Sequence, residues 1–306
     1  MNTAYPSFED VIAALESFSE HDSGMADLKT EGQSFQGRPV VSLTLTDSAY
    51  PANEKQTVLL SAVHAGGERS ATAAIFAVIQ WLLSEDAVAA EVLRRQVVVC
   101  MPIVHPDGYV EGRLGDQGAR HTILNTGWNL SGVVDAEAVP EAVALQGVID
   151  RLQPDLYADV HGISLDFEGQ LMLESSAASP SRMTGRPFHR QIAQLMDDAA
   201  LVGGFPSDRQ EEDRELAAGE LSGEALGTKL RSGCDAWLPG TYAYVNYHTL
   251  QVVMEVTWQE SGLLRLQRLL QIGNERWEGE LVPGYPNQHC QAAEWLRQRY
   301  VEFASP

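Results

Sequence analysis

The sequence predicts an α/β fold: a central mixed, mostly parallel sheet flanked by helices. Three observations carry that prediction. Strand-like and helix-like segments alternate along the chain. Most strand-like segments are continuous apolar runs, the pattern of strands covered on both faces. No repeat and no Ser/Gly/Pro linker divides the 306 residues, and 44% of them are hydrophobic. A single domain over 1–306 with a sizeable core is therefore expected.

The elements follow in order. Residues 7–18, SFEDVIAALESF, read as an amphipathic helix with Ser7 as N-cap and an acidic first turn. RPVVSLTLT (38–46) and QTVLLSAV (56–63) read as strands. ATAAIFAVIQWLL (71–83) is apolar nearly all round and reads as a buried helix. QVVVCMPI (96–103) is the run expected of a central strand. PEAVALQGVIDRL (140–152) reads as a helix, DLYADV (155–160) as a short strand and LQVVMEVTW (250–258) as a buried strand. LLRLQRLLQIGNERW (263–277) and QAAEWLRQRYVEF (291–303) read as amphipathic helices. The stretch 163–240 is polar and irregular, with ESSAASPSRMTGRP and SDRQEEDRELAAGELSGE. Within one domain it reads as a variable region, either a lid over a site or a surface insertion.

Composition narrows the function. Lys and Arg number 21 against 42 Asp and Glu, a net charge of −21. A nucleic-acid partner is not expected, because phosphate binding needs a positive surface. The same field disfavours an anionic membrane, and no run of eighteen apolar residues offers a spanning helix. The start, MNTAYPSFEDVIAAL, has neither the basic nor the apolar region of a signal peptide. Cys100, Cys234 and Cys290 are too few and too scattered for a disulfide framework or a zinc ribbon. A cytoplasmic protein is the expectation; its oligomeric state is not legible.

The chemistry gathers at strand ends, where α/β sheets place their sites. TVLLSAV ends at His64, and Glu68 follows across two glycines. PDLYADV ends at His161, in DVHG. His64, Glu68 and His161 form a set of two imidazoles and one carboxylate. That set suits Zn²⁺ with a fourth position open to water. LQVVMEV carries Glu255 inside an apolar run. An ionised glutamate costs several kcal/mol there unless it pairs with a cation or faces a cleft. Beside a zinc-bound water it would serve as general base; a buried Glu–Arg pair is the other reading. His121, His189 and His248 lack a carboxylate at metal-ligand spacing and read as surface or core histidines. No Gly-x-Ser-x-Gly elbow is present, which argues against a serine hydrolase.

The order HAGGE, HPDGY, GWNL, DVHG and a late strand glutamate resembles the zinc carboxypeptidase superfamily, the carboxypeptidase A-like metallopeptidases. GQSFQGRPVVSLTL (32–45) is similar to the family's Gly-Arg-Pro entry into a strand. The resemblance covers roughly residues 30 to 280. It implies an eight-stranded mixed sheet, one zinc per chain and a peptide or small amide as substrate. His64, Glu68 and His161 match the metal ligands, and Glu255 matches the general base. Pro106, Asp107, Gly108 and Tyr109 match a turn of the family, with His105 at its Asn; Pro and Gly pre-set such a turn, so HPDGY reads as structural.

The chain departs from the family in three places. Three residues separate His64 from Glu68, where the family has two. In GWNLSG (127–132), Asn129 stands at the family's Asp, while Ser131 and Gly132 fall where the family has the Asn and Arg that hold a peptide's free carboxylate. Ser and Gly cannot supply a guanidinium's paired charged hydrogen bonds, so Arg231 is a possible substitute. For the arginine that polarises the scissile carbonyl, Arg120 is the best match, with Arg113 as competitor. The family's mobile tyrosine finds Tyr242, Tyr244 and Tyr247 in TYAYVNYH, of which Tyr244 is favoured; a strand with alternate tyrosines facing a core is the other reading. Three functional expectations follow: a carboxypeptidase with a substitute carboxylate binder, an amidase or deacylase whose substrate has no free C-terminus, or a non-catalytic binding relative.

Overall fold

The computed structural model describes residues 6–20, 24–64, 66, 68–111, 128–129, 131–133, 136–162, 195, 199 and 239–256. The expected helices 263–277 and 291–303 and most of the region 163–240 lie outside them.

Helix α1 (Phe8–Ser19) starts at Ser7, whose side chain accepts from Asp10 N while Asp10 caps in return. Strands β1 (Ala26–Gln33) and β2 (Pro39–Leu45) pair antiparallel. β3 (Gln56–Ala62) leads to α2 (Arg69–Leu82) and α3 (Ala87–Arg95), then to β4 (Gln96–Met101) and α4 (Pro106–Glu111). A two-stranded hairpin, β5 (Trp128–Asn129) and β6 (Gly132–Val133), precedes α5 (Pro140–Leu152) and β7 (Leu156–Gly162). α6 (Pro239–Tyr247) and β8 (Leu250–Val256) follow.

Six of these strands form one sheet in the order β1-β2-β4-β3-β7-β8. β4, β3, β7 and β8 run parallel, and β2 joins β4 antiparallel. The mixed sheet is as expected, with six of its strands among the described residues. Each face carries its own core. α1 and α2 bury Leu15, Ile75 and Ile79 against Leu43, Val98 and Val160. α5 and α6 bury Leu145, Val148 and Tyr242 against Leu59, Val99 and Tyr157. No single helix among the described residues is long and apolar enough to cross a membrane.

Three features differ from expectation. β1 is a strand that the sequence hides: ADLKTEGQ is charged and only half-buried because it edges the sheet. The short α3 (AVAAEVLRR) completes the crossover between β3 and β4. TYAYVNYH is helical, not a strand: Tyr242 and Tyr247 both donate to Asp150 Oδ1, at 2.6 and 2.8 Å.

HPDGY was expected to form a turn; its residues from Pro106 onward instead open helix α4. Asp107 is buried and accepts from Ser34 Oγ (2.7 Å), the Gln36 amide (2.9 Å) and Arg38 Nη1 (2.6 Å). It pins the turn between β1 and β2 to α4. Asp107→Ala would strand these donors, so it is expected to cost about 2–4 kcal/mol in urea denaturation.

Candidate active site

β3 is followed along the chain by β4, which lies on one side of it, and later by β7, which lies on the other. The crevice at the carboxyl ends of β3 and β7 is therefore a topological switch point, the usual place for a ligand in an open α/β sheet. His64 and His161 meet there.

β3 ends at Ala62, and Val63 turns the chain at φ +60°. A β-branched residue is strained in that left-handed region. The turn is held by two hydrogen bonds from the exit of β4: Val104 N to Ala62 O at 2.8 Å and His105 N to Val63 O at 3.0 Å. His64 emerges fully buried. Gly66 then lies against Gly108 of α4, where a Cβ on Gly66 would overlap the Gly108 carbonyl. The glycine is needed for close approach rather than for an unusual φ; Gly67 lies outside the described residues. Glu68 follows as the N-cap residue of α2, yet its side chain makes no capping bond. Its carboxylate faces His161 instead, with its oxygens 3.1 and 3.2 Å from Nδ1. The extra residue between His64 and Glu68 thus does not keep the glutamate from the third expected ligand.

β7 places Tyr157, Asp159 and His161 on one face, because side chains alternate along a strand. Asp159 lies at the centre. Its Oδ1 is 2.8 Å from His64 Nε2 and its Oδ2 is 3.3 Å from His161 Nε2. The two imidazoles stack, with centroids 5.4 Å apart and planes 26° apart. Ser61, beside Asp159 in the β3–β7 register, lies 2.8 Å from His64 Nε2 and 2.6 Å from Tyr157 OH.

The charges are strongly coupled. Burial works to raise the Asp159 pKa, but His64 and His161 outweigh it and hold the carboxyl well below the usual range. Burial works to lower the His161 pKa, but Asp159 and Glu68 outweigh it and raise it well above the ordinary imidazole value. Burial and the Asp159 charge push the Tyr157 phenol up, so it stays protonated.

His64, Glu68 and His161 are donor types that a divalent metal takes. His64 Nδ1, Glu68 Oε2 and both Asp159 oxygens are buried and lack an aligned hydrogen-bond partner among the described residues, which is costly unless a ligand satisfies them. The side chains stand in pairwise contact, and among the described residues no three of them surround a common metal position.

Of the other expected site residues, Glu255 lies on β8 in register with His161 of the adjacent strand. Asn129 pairs with Gly132 in the β5–β6 hairpin. Tyr244 lies half-buried on α6. Arg120, Arg113 and Arg231 lie outside the described residues. Gly132, where the family has its arginine, has φ +117°, and a Cβ there would come within 2.5 Å of Gln146 Oε1. A side chain there would be strained by that φ, while the Gln146 amide, at the end of a flexible side chain, can shift. Sequence reasoning missed Asp159, Ser61 and Tyr157. The signal for Asp159 was present in DVHG: an acid two residues before a histidine in a buried strand, hence on the same face.

Cys100 supplies no nucleophile. It is a free thiol wholly buried in β4, and burial pushes its pKa up to about 12.

Comparisons with known proteins bear on the fold. The zinc carboxypeptidase family model matches residues 11–133. No curated protein matches the chain. Solved structures do. A metallo-carboxypeptidase from Burkholderia cenocepacia has a TM-score of 0.56 at 20% identity, over 83% of this chain and 60% of its own. The carboxypeptidase A of Helicoverpa armigera has a TM-score of 0.61 at 14% identity, over 97% of this chain and 75% of its own. A metallo-carboxypeptidase from Pseudomonas aeruginosa, solved with (2-guanidinoethylmercapto)succinic acid, has a TM-score of 0.61 at 18% identity, over 83% of this chain and 60% of its own. The match thus spans about 60% of the length of the bacterial carboxypeptidases. At these identities the structures show the fold. The chain thus has the fold of the metallocarboxypeptidases, and its residues 11–133 are similar to the zinc carboxypeptidase family.

Proposed function

We propose that the protein is a zinc-dependent hydrolase of a peptide or small amide bond, with one zinc per chain. The observation that carries this reading is the meeting of His64, Glu68 and His161 at the β3–β7 crevice, with buried donor atoms left unsatisfied. These three residues would hold the metal. Zinc held there supplies a Lewis acid and makes water acidic enough to act as a nucleophile near neutral pH.

The chain's own residues carry the remaining work. The Glu255 carboxylate takes a proton from the attacking water and delivers it to the leaving nitrogen as the C–N bond breaks. Arg120 stabilises the negative charge that develops on the carbonyl oxygen. Asn129, Tyr244 and Arg231 are assigned to substrate binding. A single domain over 1–306 is part of this reading. A cytoplasmic location fits the cysteine content.

Within this reading we favour a substrate without a free C-terminal carboxylate. The support is that the resemblance puts the family's arginine at Gly132, whose φ of +117° is one that L side chains rarely adopt.

The test is a mixed peptide pool, each member present with a free and an amidated C-terminus, incubated with zinc-loaded protein and read by mass spectrometry. Zinc content of wild type and His64→Ala is measured in parallel. Cleavage regardless of the end, with zinc lost in His64→Ala, is the expected result. Shortening of free-ended peptides alone would mean a carboxypeptidase with a substitute carboxylate binder. Failure of the wild type to bind zinc through His64 would overturn the reading.

A further inference from the structure

We propose that His105 and Glu141 form a pH-sensitive latch: a buried imidazole and carboxylate that share one proton and hold the starts of α4 and α5 together around the β1–β2 turn. The latch does not rest on the zinc reading above.

Two acids close on the turn at 34–38. Asp107, from α4, accepts from Ser34 Oγ, the Gln36 amide and Arg38 Nη1. Glu141, from the first turn of α5, accepts from the Phe35 amide at 3.0 Å. His105, just ahead of α4, has its Nδ1 3.8 Å from Glu141 Oε1. The other edge of the ring lies against Gly108, where a Cβ would come within 2.6 Å of His105 Cδ2 and 2.8 Å of Nε2. That contact leaves Nδ1 as the edge turned to the glutamate. His105, Asp107 and Glu141 are 4%, 2% and 2% exposed.

Charge decides what such a cluster does. Arg38 offsets Asp107 at 2.6 Å. Glu111 takes a bond from Gln36 Nε2 and is exposed. Among the described residues, the buried groups are then neutral when His105 and Glu141 hold one proton between them. The pair can be imidazolium and carboxylate, or imidazole and carboxylic acid; the proton belongs to the pair. A net buried charge is costly, so the folded chain resists losing it. Burial and the Asp107 charge push the Glu141 carboxyl up, against the amides of Phe35 and of Glu141 itself. A glutamine at 141 would accept the same Phe35 bond without a charge, so hydrogen bonding alone does not call for an acid.

The sign follows from the proton count. In the unfolded chain the last proton of the pair sits on His105 and leaves near pH 6.5, roughly the value of a free imidazole. The folded pair keeps it to higher pH. The latch's contribution is therefore present just below about pH 6.5 and is lost as the pH rises through the point where the folded pair lets go.

The experiment uses the full chain. Wild type, Glu141→Gln and His105→Asn are unfolded in urea at steps from about pH 4 to about pH 9. Above about pH 6.5 the folding equilibrium constant of wild type is expected to fall by up to about tenfold per pH unit relative to Glu141→Gln. The metal site is the same in both, so its own pH dependence cancels in the comparison. His105→Asn keeps the acid without its partner, and should move the loss down towards the ordinary carboxylate value of 4.5. The same pH dependence in wild type and Glu141→Gln would overturn the proposal. If the variants do not fold, NMR of the wild type decides. The ring nitrogens of His105 and the carboxyl carbon of Glu141 should change together, at one midpoint. Separate transitions, each near its residue's ordinary value, would equally overturn it.

Discussion

Glu255→Gln is expected to lower turnover of any amide the protein cleaves by about 10²- to 10⁴-fold, with bound zinc unchanged. The substitution keeps shape and hydrogen-bonding capacity and removes only the ability to take a proton. The register places residue 255 beside His161, one strand over, at the same level of the sheet. A glutamate in VVMEV is otherwise an expensive choice. The measurement is kcat on a substrate found in the peptide pool, together with zinc stoichiometry of the variant. Retained turnover would remove Glu255 as general base. Lost turnover with lost zinc would make it a metal ligand or a structural residue instead.

Gly66→Ala is expected to destabilise the fold by about 1–3 kcal/mol and to weaken zinc binding with it. The added methyl would overlap the Gly108 carbonyl, and backbone cannot rotate aside as a long side chain can. The loop from His64 to Glu68 must then lift off α4, carrying Glu68 away from His161. Gly147→Ala is the control: it lies on the exposed face of α5 with nothing within 4 Å of an added Cβ. It is expected to stabilise by roughly 0.5–1 kcal/mol, as glycine is a poor helix former. Urea denaturation of the zinc-free forms and chelator competition separate the two effects. A Gly66→Ala protein with wild-type stability would show that the approach to Gly108 is not tight.

Gly132 differs from Gly66: φ +117° strains any side chain there, but the atoms an added Cβ would meet belong to the movable end of Gln146. Gly132→Arg is therefore expected to be destabilising through its backbone conformation.

Much of this was legible in the sequence. β2, β3, β4, α5 and β8 begin within a residue of where their apolar patterns place them, because burial on both faces leaves an unmistakable run. The helical 239–247 segment was not legible. Its tyrosines alternate like a strand, and only Asp150 on a neighbouring helix explains their placement. β1 was hidden for the opposite reason: an edge strand needs few apolar residues, so ADLKTEGQ carries no strand signal.

For the site, the sequence by itself determined the donor types, His64, Glu68 and His161 at strand ends, and the position of Glu255 within a buried run. Those are local facts, because a polar residue at the end of an apolar strand stands out against its neighbours. Only the tertiary structure decided that β7 lies beside β3, that Asp159 lies near both imidazoles, that Gly66 must be small because Gly108 is there, and that Gly132 takes a φ of +117°. Each depends on a partner distant in sequence, and packing between distant segments leaves no local pattern to read.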